Sequence, residues 1–586
     1  MNSFRKKAGR AIEILRESGI RGLRRSAYWN YWKINEQRKY QRWIRKNAID
    51  RTRLDEIRNE IDKMAVRPLI SVVMPVYNVD EKWLRLCIGS VTRQIYQNWE
   101  LCVADDCSPS PHIKKVLAEL AAGDGRIKVV YRPENGHISA ASNSALSLAT
   151  GEFTVLLDHD DELSPDALFY VAKEIAEHPE TAMIYSDEDL IDEKGRRFEP
   201  KFKPDFSRDL FYSLNLITHL SAYRTELLRK ISGFRIGLEG SQDYDLALRV
   251  IEQIDEDQIR HIPRILYHWR AIRGSVAFSG DEKPYAHERA REALRSHFER
   301  TGKLVHVEQT IYNLHRVRYV LPETPPKVSL VIRAAAFSGD MEDAVAAFAN
   351  ATAYPNYEII IVTNDAVRGP VTISGRSVSY LKSLGSAAAD MNEAASRSNG
   401  EILCFTDLSL MPLNKDWLTE LCRFANQPEI GPAGAKLLTS DGSTLTGGII
   451  IGAGGAASAA YSGFPRDFGG IMGRNVLPGN FAAVSAGCFA VRKELFAEAG
   501  GFDPEPFPDH LFDADLCLRI GEMGHRIVMT PFAELICARG RIPECAGKPD
   551  DGEADRFKVK WKKYIGRDPF YNPNLSRKHA DFSIDA

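Results

Sequence analysis

No stretch of 18 consecutive apolar residues occurs in this 586-residue chain, so the sequence offers no helix fit to span a bilayer. It also has no C-x-x-C pair. The nine cysteines, at 87, 102, 107, 404, 422, 488, 517, 537 and 545, are scattered. That pattern points away from a zinc ribbon or a disulfide scaffold and toward free thiols in a reducing compartment. The N-terminus carries charge but no continuous apolar core and no cleavage site, so no secretory signal is expected and a cytoplasmic location is. The net charge of −2 calls for no polyanionic or polycationic partner of the whole chain. What remains, 44% hydrophobic and 27% charged, is the composition of an ordinary globular protein. The length calls for more than one domain.

The strongest local bias lies at the start. Residues 1–50 hold 14 Lys/Arg against 4 Asp/Glu, which leaves the rest of the chain at −12. Tyr28, Trp29, Tyr31, Trp32, Tyr40 and Trp43 interleave with those cations. Such an arm can lie on an anionic membrane surface. It can equally pack on its own protein with the basic face in water. Nucleic acid is a poorer third partner, because no reading motif accompanies the charge, and none is expected. Residues 51–67 continue as a charged helix up to Pro68.

The centre of the pattern is Phe153-Thr-Val-Leu-Leu-Asp158-His-Asp160-Asp161-Glu162, five apolar or β-prone residues followed by four acids in five positions. It reads as a buried strand entered through Gly151, with the acids just past its carboxyl end, where open α/β sheets bind ligands. Strand alternation would point Asp158 and Asp160 the same way. Paired oxygen ligands suit Mg²⁺ or Mn²⁺ shared with phosphates, although a lone Asp-x-Asp is as readily a solvated loop.

Around it, strands and helices alternate. Leu69–Asn78, Trp99–Ser108 and Ile127–Tyr131 read as strands, and the segments 80–94, 113–121 and 138–149 as helices, with Asn135-Gly136 a turn. The second strand also ends in paired acids, Asp105-Asp106. This order predicts a doubly wound, mostly parallel sheet. After Pro322-Glu-Thr-Pro-Pro326 the pattern restarts: Lys327–Ile332 mirrors Leu69–Met74, and Asp513-Ala-Asp515-Leu-Cys-Leu-Arg519 mirrors Asp243-Tyr-Asp245-Leu-Ala-Leu-Arg249. A period near a whole domain means a tandem array of two domains and not a solenoid.

Pro75-Val-Tyr77-Asn78, Asp105-Asp106-x-Ser108, Asn135-Gly136, Asn143, Leu156-Leu-Asp158-His-Asp160-Asp161 and Gly240-Ser-Gln-Asp243-Tyr-Asp245, in this order, resemble the family-two glycosyltransferases of the GT-A fold, above all bacterial enzymes of polysaccharide and O-antigen assembly. The resemblance covers residues 68 to about 300, and the second half looks like the same family. It implies two tandem α/β, Rossmann-like GT-A domains with mixed, mostly parallel sheets behind an N-terminal helical arm. The expected division is an arm over 1–67, a catalytic domain over 68–305, a linker over 306–326, a degenerate domain over 327–545 and a surface tail over 546–586.

The resemblance further implies a metal-dependent, inverting transfer of a sugar from a nucleoside diphosphate (UDP or dTDP type) to a lipid-linked or cell-surface glycan, peripherally at the inner face of the cytoplasmic membrane. Asp243 matches the base. Pro75, Tyr77, Asn78, Asp105, Asp106, Asn135, Asn143 and Asp158 match the nucleotide and donor positions, and Asp158, Asp160 and His268 the ligands of Mg²⁺ or Mn²⁺. Asp187, Glu188, Asp189, Asn215, His219, Gln242 and Trp269 are weaker matches near the donor and acceptor sugars. A helix-N-terminal setting would favour the charged form of Asp243. The open alternatives are a non-catalytic carbohydrate-binding scaffold and a bifunctional enzyme with two active domains. In the second half the motifs are eroded: Arg333-Ala-Ala-Ala336 stands for Pro75–Asn78, Thr363-Asn364 for Asp105-Asp106, Asp407-x-Ser409 for Asp158-x-Asp160, and Cys537 for His268. No donor is expected to bind there. The Gly448–Ala457 run fits a dinucleotide fingerprint but falls too late in its domain to be one.

Overall fold

The computed structural model describes residues 31–272, 284–335, 337–367, 369–538, 543 and 547–586. Two sheets dominate it. The strands of the first are β1 Ile70–Val76, β2 Trp99–Asp105, β3 Ile127–Tyr131, β4 Phe153–Leu156, β5 Glu162–Leu163, β6 Met183–Ile191, β7 Arg197–Lys201, β8 Ser221–Arg224 and β9 Ile259–Arg270. They run in the order β3-β2-β1-β4-β8-β6-β9-β5, with β7 beside β6. β1 to β4 are parallel, and β8 is antiparallel to both of its neighbours. The Val/Ile/Leu-rich strands are buried on both faces, as parallel strands under helices must be. The parallel register brings Val76, Asp105 and Tyr131 to one edge, and β4 adds Asp158 two residues past its end.

The second sheet repeats this plan. Val328–Arg333 lies between Tyr357–Thr363 and Ile402–Asp407, all parallel, and Cys488–Arg492 runs antiparallel beside the last. Register equates Ile70 with Val328, Phe153 with Ile402 and Arg224 with Arg492. Buried side chains of both sheets form one continuous apolar cluster. Across the junction, Arg526 pairs with Asp209 at 3.0 Å, and Asn480 bonds Ser207 and Asp209.

Two expectations are corrected, and one of the two open readings of the arm is met among the described residues. Residues 306–326 are not a bare linker, for Val305–Gln309 and His315–Tyr319 form an antiparallel hairpin. The tail does not merely wrap the surface. Phe557, Tyr571, Leu575 and Phe582 are buried, and Asn572 donates to both carboxylate oxygens of Asp187 and to Lys203 O on the first half. The arm packs on its own protein: residues 31–46 are helical, Tyr40 and Trp43 are buried against Phe202, and Trp32 meets Phe468 edge-on. Of its aromatics only Tyr31 stays largely exposed, while Tyr28 and Trp29 lie outside the described residues. The Gly448–Ala457 run opens no helix. Ile449–Ile451 pairs with Ala457–Ala459 in a hairpin that rests on the tail.

Candidate active site

The acidic loop departs from strand alternation because β4 stops at Leu156. Asp158 to Asp161 form a turn, closed by the Asp161 N–H on Asp158 O at 3.2 Å. A turn brings residues three apart together, so Asp161, not Asp160, joins Asp158. The third partner is His219, at the entrance of β8. Each of the three offers a ligand atom within 4.8 Å of the others, the arrangement a metal ion needs. His268 is not in this group. On β9 it faces opposite to its neighbours Tyr267 and Trp269, and its Nδ1 lies 2.5 Å from Asp189. Tyr267 and Trp269 face His219, with the Tyr267 ring stacked on it at 4.3 Å and Trp269 edge-on at 5.4 Å.

Tyr267 and Arg270 organise the loop, and sequence reasoning gave neither a role. The Tyr267 hydroxyl donates to Asp161 Oδ2 at 2.5 Å and accepts from the Asp158 N–H. Arg270 N donates to Asp161 Oδ1 at 2.7 Å, and its guanidinium reaches Asp160 O and Glu162. The available signal was the two-residue period along β9. Burial, with the charges of Asp160 and Asp158, pushes the Asp161 carboxyl well above the carboxylate range. A divalent cation would relieve that repulsion. Burial also holds His219 below its ordinary value, in the neutral form a metal takes. The three residues therefore fit a divalent ion.

Asp243 opens the helix Gln242–Ile251. Its Oδ2 accepts from Asn215 Nδ2 at 2.8 Å. The helical N–H groups do favour its charge, but burial outweighs them and the nearby charge of Asp158 adds to burial, so the carboxyl rises to about 6. This corrects the expectation of a favoured charged form. Residues 85 positions apart thus share one site. Gln242 precedes Asp243 on this helix and accepts the Gly240 N–H.

The nucleotide-side residues divide into two kinds. Asp105 is fully buried; its Oδ1 accepts the Ser108 N–H, and its Oδ2 has no partner among the described residues. Tyr77 and Tyr131 stand half exposed at the ends of β1 and β3, and Asp105 helps push the Tyr131 hydroxyl up. Pro75 O meets the His159 ring at 3.0 Å, and Asn78 takes a left-handed backbone and donates its N–H to Ser108 Oγ. The other three are engaged within the protein. Asp106 holds Arg132 and the Gly136 N–H, and Asn135 donates to Asp106 O. Asn143 clasps both the N–H and the carbonyl of Phe234, at 2.8 Å each. It supports a loop, with its amide oxygen and one of its two N–H donors on Phe234.

Asp187, Glu188 and Asp189 are not sugar-facing carboxylates at a strand end. They lie inside β6, fully buried. Asp187 meets His261 and Asn572, and Asp189 meets Tyr40, Arg197 and His268. Burial opposes the charge of Glu188, yet Lys201 and Lys203 hold its carboxyl well below the usual range. Trp269 is half buried, with Lys201 over its ring.

Comparison with known proteins identifies the family. Residues 71–232 match the model of "Glycosyl transferase family 2", and residues 325–545 match that of "Glycosyltransferase like family 2". An uncharacterized protein, y4gI, of Sinorhizobium fredii (strain NBRC 101917 / NGR234) is 39% identical over 93% of this chain and 61% of its own length. The O-antigen biosynthesis protein RfbC of Myxococcus xanthus is 32% identical over 92% of this chain and 42% of its own. The chain thus spans less than two thirds of the length of both. A candidate colanic acid biosynthesis glycosyl transferase, WcaA, of Escherichia coli (strain K12) is 32% identical over 33% of this chain and 70% of its own length. The chain belongs to glycosyl transferase family 2, with two such domains in tandem.

Proposed function

We propose that the first half transfers a sugar, with inversion, from a nucleoside diphosphate to a hydroxyl of a growing cell-surface or lipid-linked glycan, and that the second half binds no donor. The observation that carries this reading is the convergence of Asp243, raised to about 6 and held by Asn215, with the carboxylate–imidazole group of Asp158, Asp161 and His219. The acceptor hydroxyl attacks the anomeric carbon as the bond to the diphosphate oxygen breaks, and Asp243 takes the hydroxyl proton. A base near pH 6 is suited to that transfer at neutral pH. Asp158, Asp161 and His219 would hold Mg²⁺ or Mn²⁺, and such an ion, when bound, neutralises charge on the diphosphate. The unpartnered Asp105 Oδ2, between Tyr77 and Tyr131, fits the N–H edge of a nucleobase.

Among the described residues no helix is long and apolar enough to cross a membrane. The cations of residues 1–50 support peripheral contact with an anionic inner leaflet, where a lipid-linked acceptor would be met. The test is calorimetric titration with UDP, dTDP and GDP, with and without Mn²⁺, on wild type and Asp158→Ala. One metal-dependent nucleotide site, lost in the variant, is expected. Two sites per chain would refute the reading of the second half, and no binding to folded protein would refute that of the first.

A further inference from the structure

A second recess lies on the first half, away from these carboxylates. It is an open groove of about 640 Å³ between the helix Arg51–Lys63 and the turn leading into β2. Its lining is mixed: Ile49, Leu54, Ile95 and Pro165 are apolar, Gln94 and Gln97 offer amides, and Arg58 and Arg93 offer guanidinium groups. Arg93 precedes β2, whereas Asp105 ends that seven-residue strand. At about 3.3 Å per residue the groove and the nucleotide edge are roughly 20 Å apart, at opposite ends of the sheet.

The cations here are available. Arg93 is exposed and has no ion pair among the described residues. The one partner of Arg58 there is Asp55, at 3.5 Å, with both side chains more than half exposed, a pairing that contributes little. Arg45, Lys46 and Arg51 flank Ile49 in sequence and are exposed without ion pairs among the described residues. The nearby acids are otherwise engaged, Asp50 capping the helix at Arg53 N and Glu56 pairing with Arg53. Exposed guanidinium groups beside amide side chains suit a polar, anionic headgroup presented by a surface.

We propose that this groove docks the headgroup of an anionic phospholipid, seating the pole opposite the donor site on a membrane. The inference rests on the peripheral placement proposed above and moves the contact from the arm's buried aromatics to these cations. The donor mouth then faces the aqueous phase from which a nucleotide sugar arrives.

The experiment is flotation of the full chain with phosphatidylcholine vesicles, with and without phosphatidylglycerol. Wild type, R58E/R93E and the control K415E/K578E, which alters charge equally on other faces, are compared. Each cation at an anionic surface contributes about fivefold, so R58E/R93E should lose at least tenfold in binding to the anionic vesicles while the control keeps it. High salt should release wild type. The proposal falls if R58E/R93E floats as well as wild type, if both variants lose binding alike, or if wild type floats with neither vesicle. Nucleotide titration and melting of each variant show that fold and donor site persist; should the double variant melt early, R93Q and its control K415Q replace it. Loss of nucleotide binding in wild type with vesicle binding intact would sink the transfer chemistry and leave the groove standing.

Discussion

At the base of the first sheet Ser71 Oγ donates to Glu100 at 2.6 Å and accepts the Gly151 N–H, while Lys128 closes on the same glutamate. At the base of the second, Ser329, Glu358, Gly400 and Lys327 make the same four-part junction, again with a 2.6 Å serine–glutamate bond. The agreement continues along each half. Asn143 clasps Phe234 as Asn392 clasps Phe502. Arg249 joins Asp245 to the carbonyls of Ile231 and Gly233, as Arg519 joins Asp515 to those of Ala499 and Gly501. It ends where strands meet solvent at their carboxyl ends. By register, Asp158, Asp161 and His219 become Asp407, Leu410 and Gly487. This also replaces the sequence match of His268 with Cys537, since pairing sets His268 opposite Glu162 and Ile536 opposite Met411, the residue equivalent to Glu162. Pro75 becomes Arg333, which is buried and paired with Asp390. The interactions that fold the domain are kept where those that would hold a metal diphosphate are gone, so fold and chemistry rest on separable residues.

The contrast is broken most sharply at a buried carboxyl that both halves retain. Asp243 and Asp513 each open a helix, and burial raises both carboxyls to about 6. Asp513, however, has its oxygens on the Ala486 and Ala514 N–H groups, with no metal-type cluster beside it among the described residues. Asp243→Asn should lower the rate of transfer by about 10²–10⁴-fold with nucleotide binding kept, and Asp513→Asn should leave transfer unchanged. Steady-state assay of both variants decides it; equal losses would give the second half a catalytic part.

Next in size is metal affinity. His219→Ala removes one of the three proposed ligands and should weaken Mn²⁺-dependent nucleotide binding by at least tenfold, about what even an outer-shell change costs. His268→Ala and Asp407→Ala should leave that affinity as it is in calorimetric titration. A larger loss from His268→Ala than from His219→Ala would restore the ligand set read from sequence.

Those two histidines show where sequence stopped being sufficient. Alternating strands and helices, the internal repeat and the acid pair at the end of β2 follow from local pattern, and the described elements match them. The metal group does not, because two of its members depend on geometry that periodicity cannot carry. Asp161 arrives through a turn where alternation favours Asp160. His219 sits about 60 residues downstream of Asp158, in a stretch without regular spacing, and is brought across by the antiparallel pairing of β4 with β8. Asn143 lies on a small-residue helix whose pattern says nothing of its bonds to Phe234. The tail holds Phe570, Tyr571 and Phe582 among polar residues at no period, so its burial against Asp187 and Trp43 was invisible.

The shared scaffold predicts equal effects in the two halves. Asn143→Ala and Asn392→Ala each leave a backbone N–H and a carbonyl without their amide partner, at about 1–3 kcal/mol per site. Urea unfolding of the two variants should therefore show similar losses. A cost confined to Asn143 would mean that the second half has relaxed its scaffold along with its chemistry.

The smallest effect concerns pH, and it again separates the halves. A general base works only when deprotonated, so transfer should rise with pH through about 6 and level off above it, following Asp243. Below that pH the carboxyl is protonated and cannot take the acceptor proton. Mn²⁺ beside Asp158 cancels part of the like charge that raises Asp243, so saturating metal should move the midpoint down. Asn215→Ala removes an amide that favours the charged carboxylate, so it should move the midpoint up, by at most about one pH unit for a hydrogen bond of this kind. Asp513→Asn should leave the profile in place, because its carboxyl has no part in transfer. A profile of kcat/KM against pH for these proteins measures the shifts, and a midpoint that ignores Asn215 but follows Asp513 would place the working base in the second half.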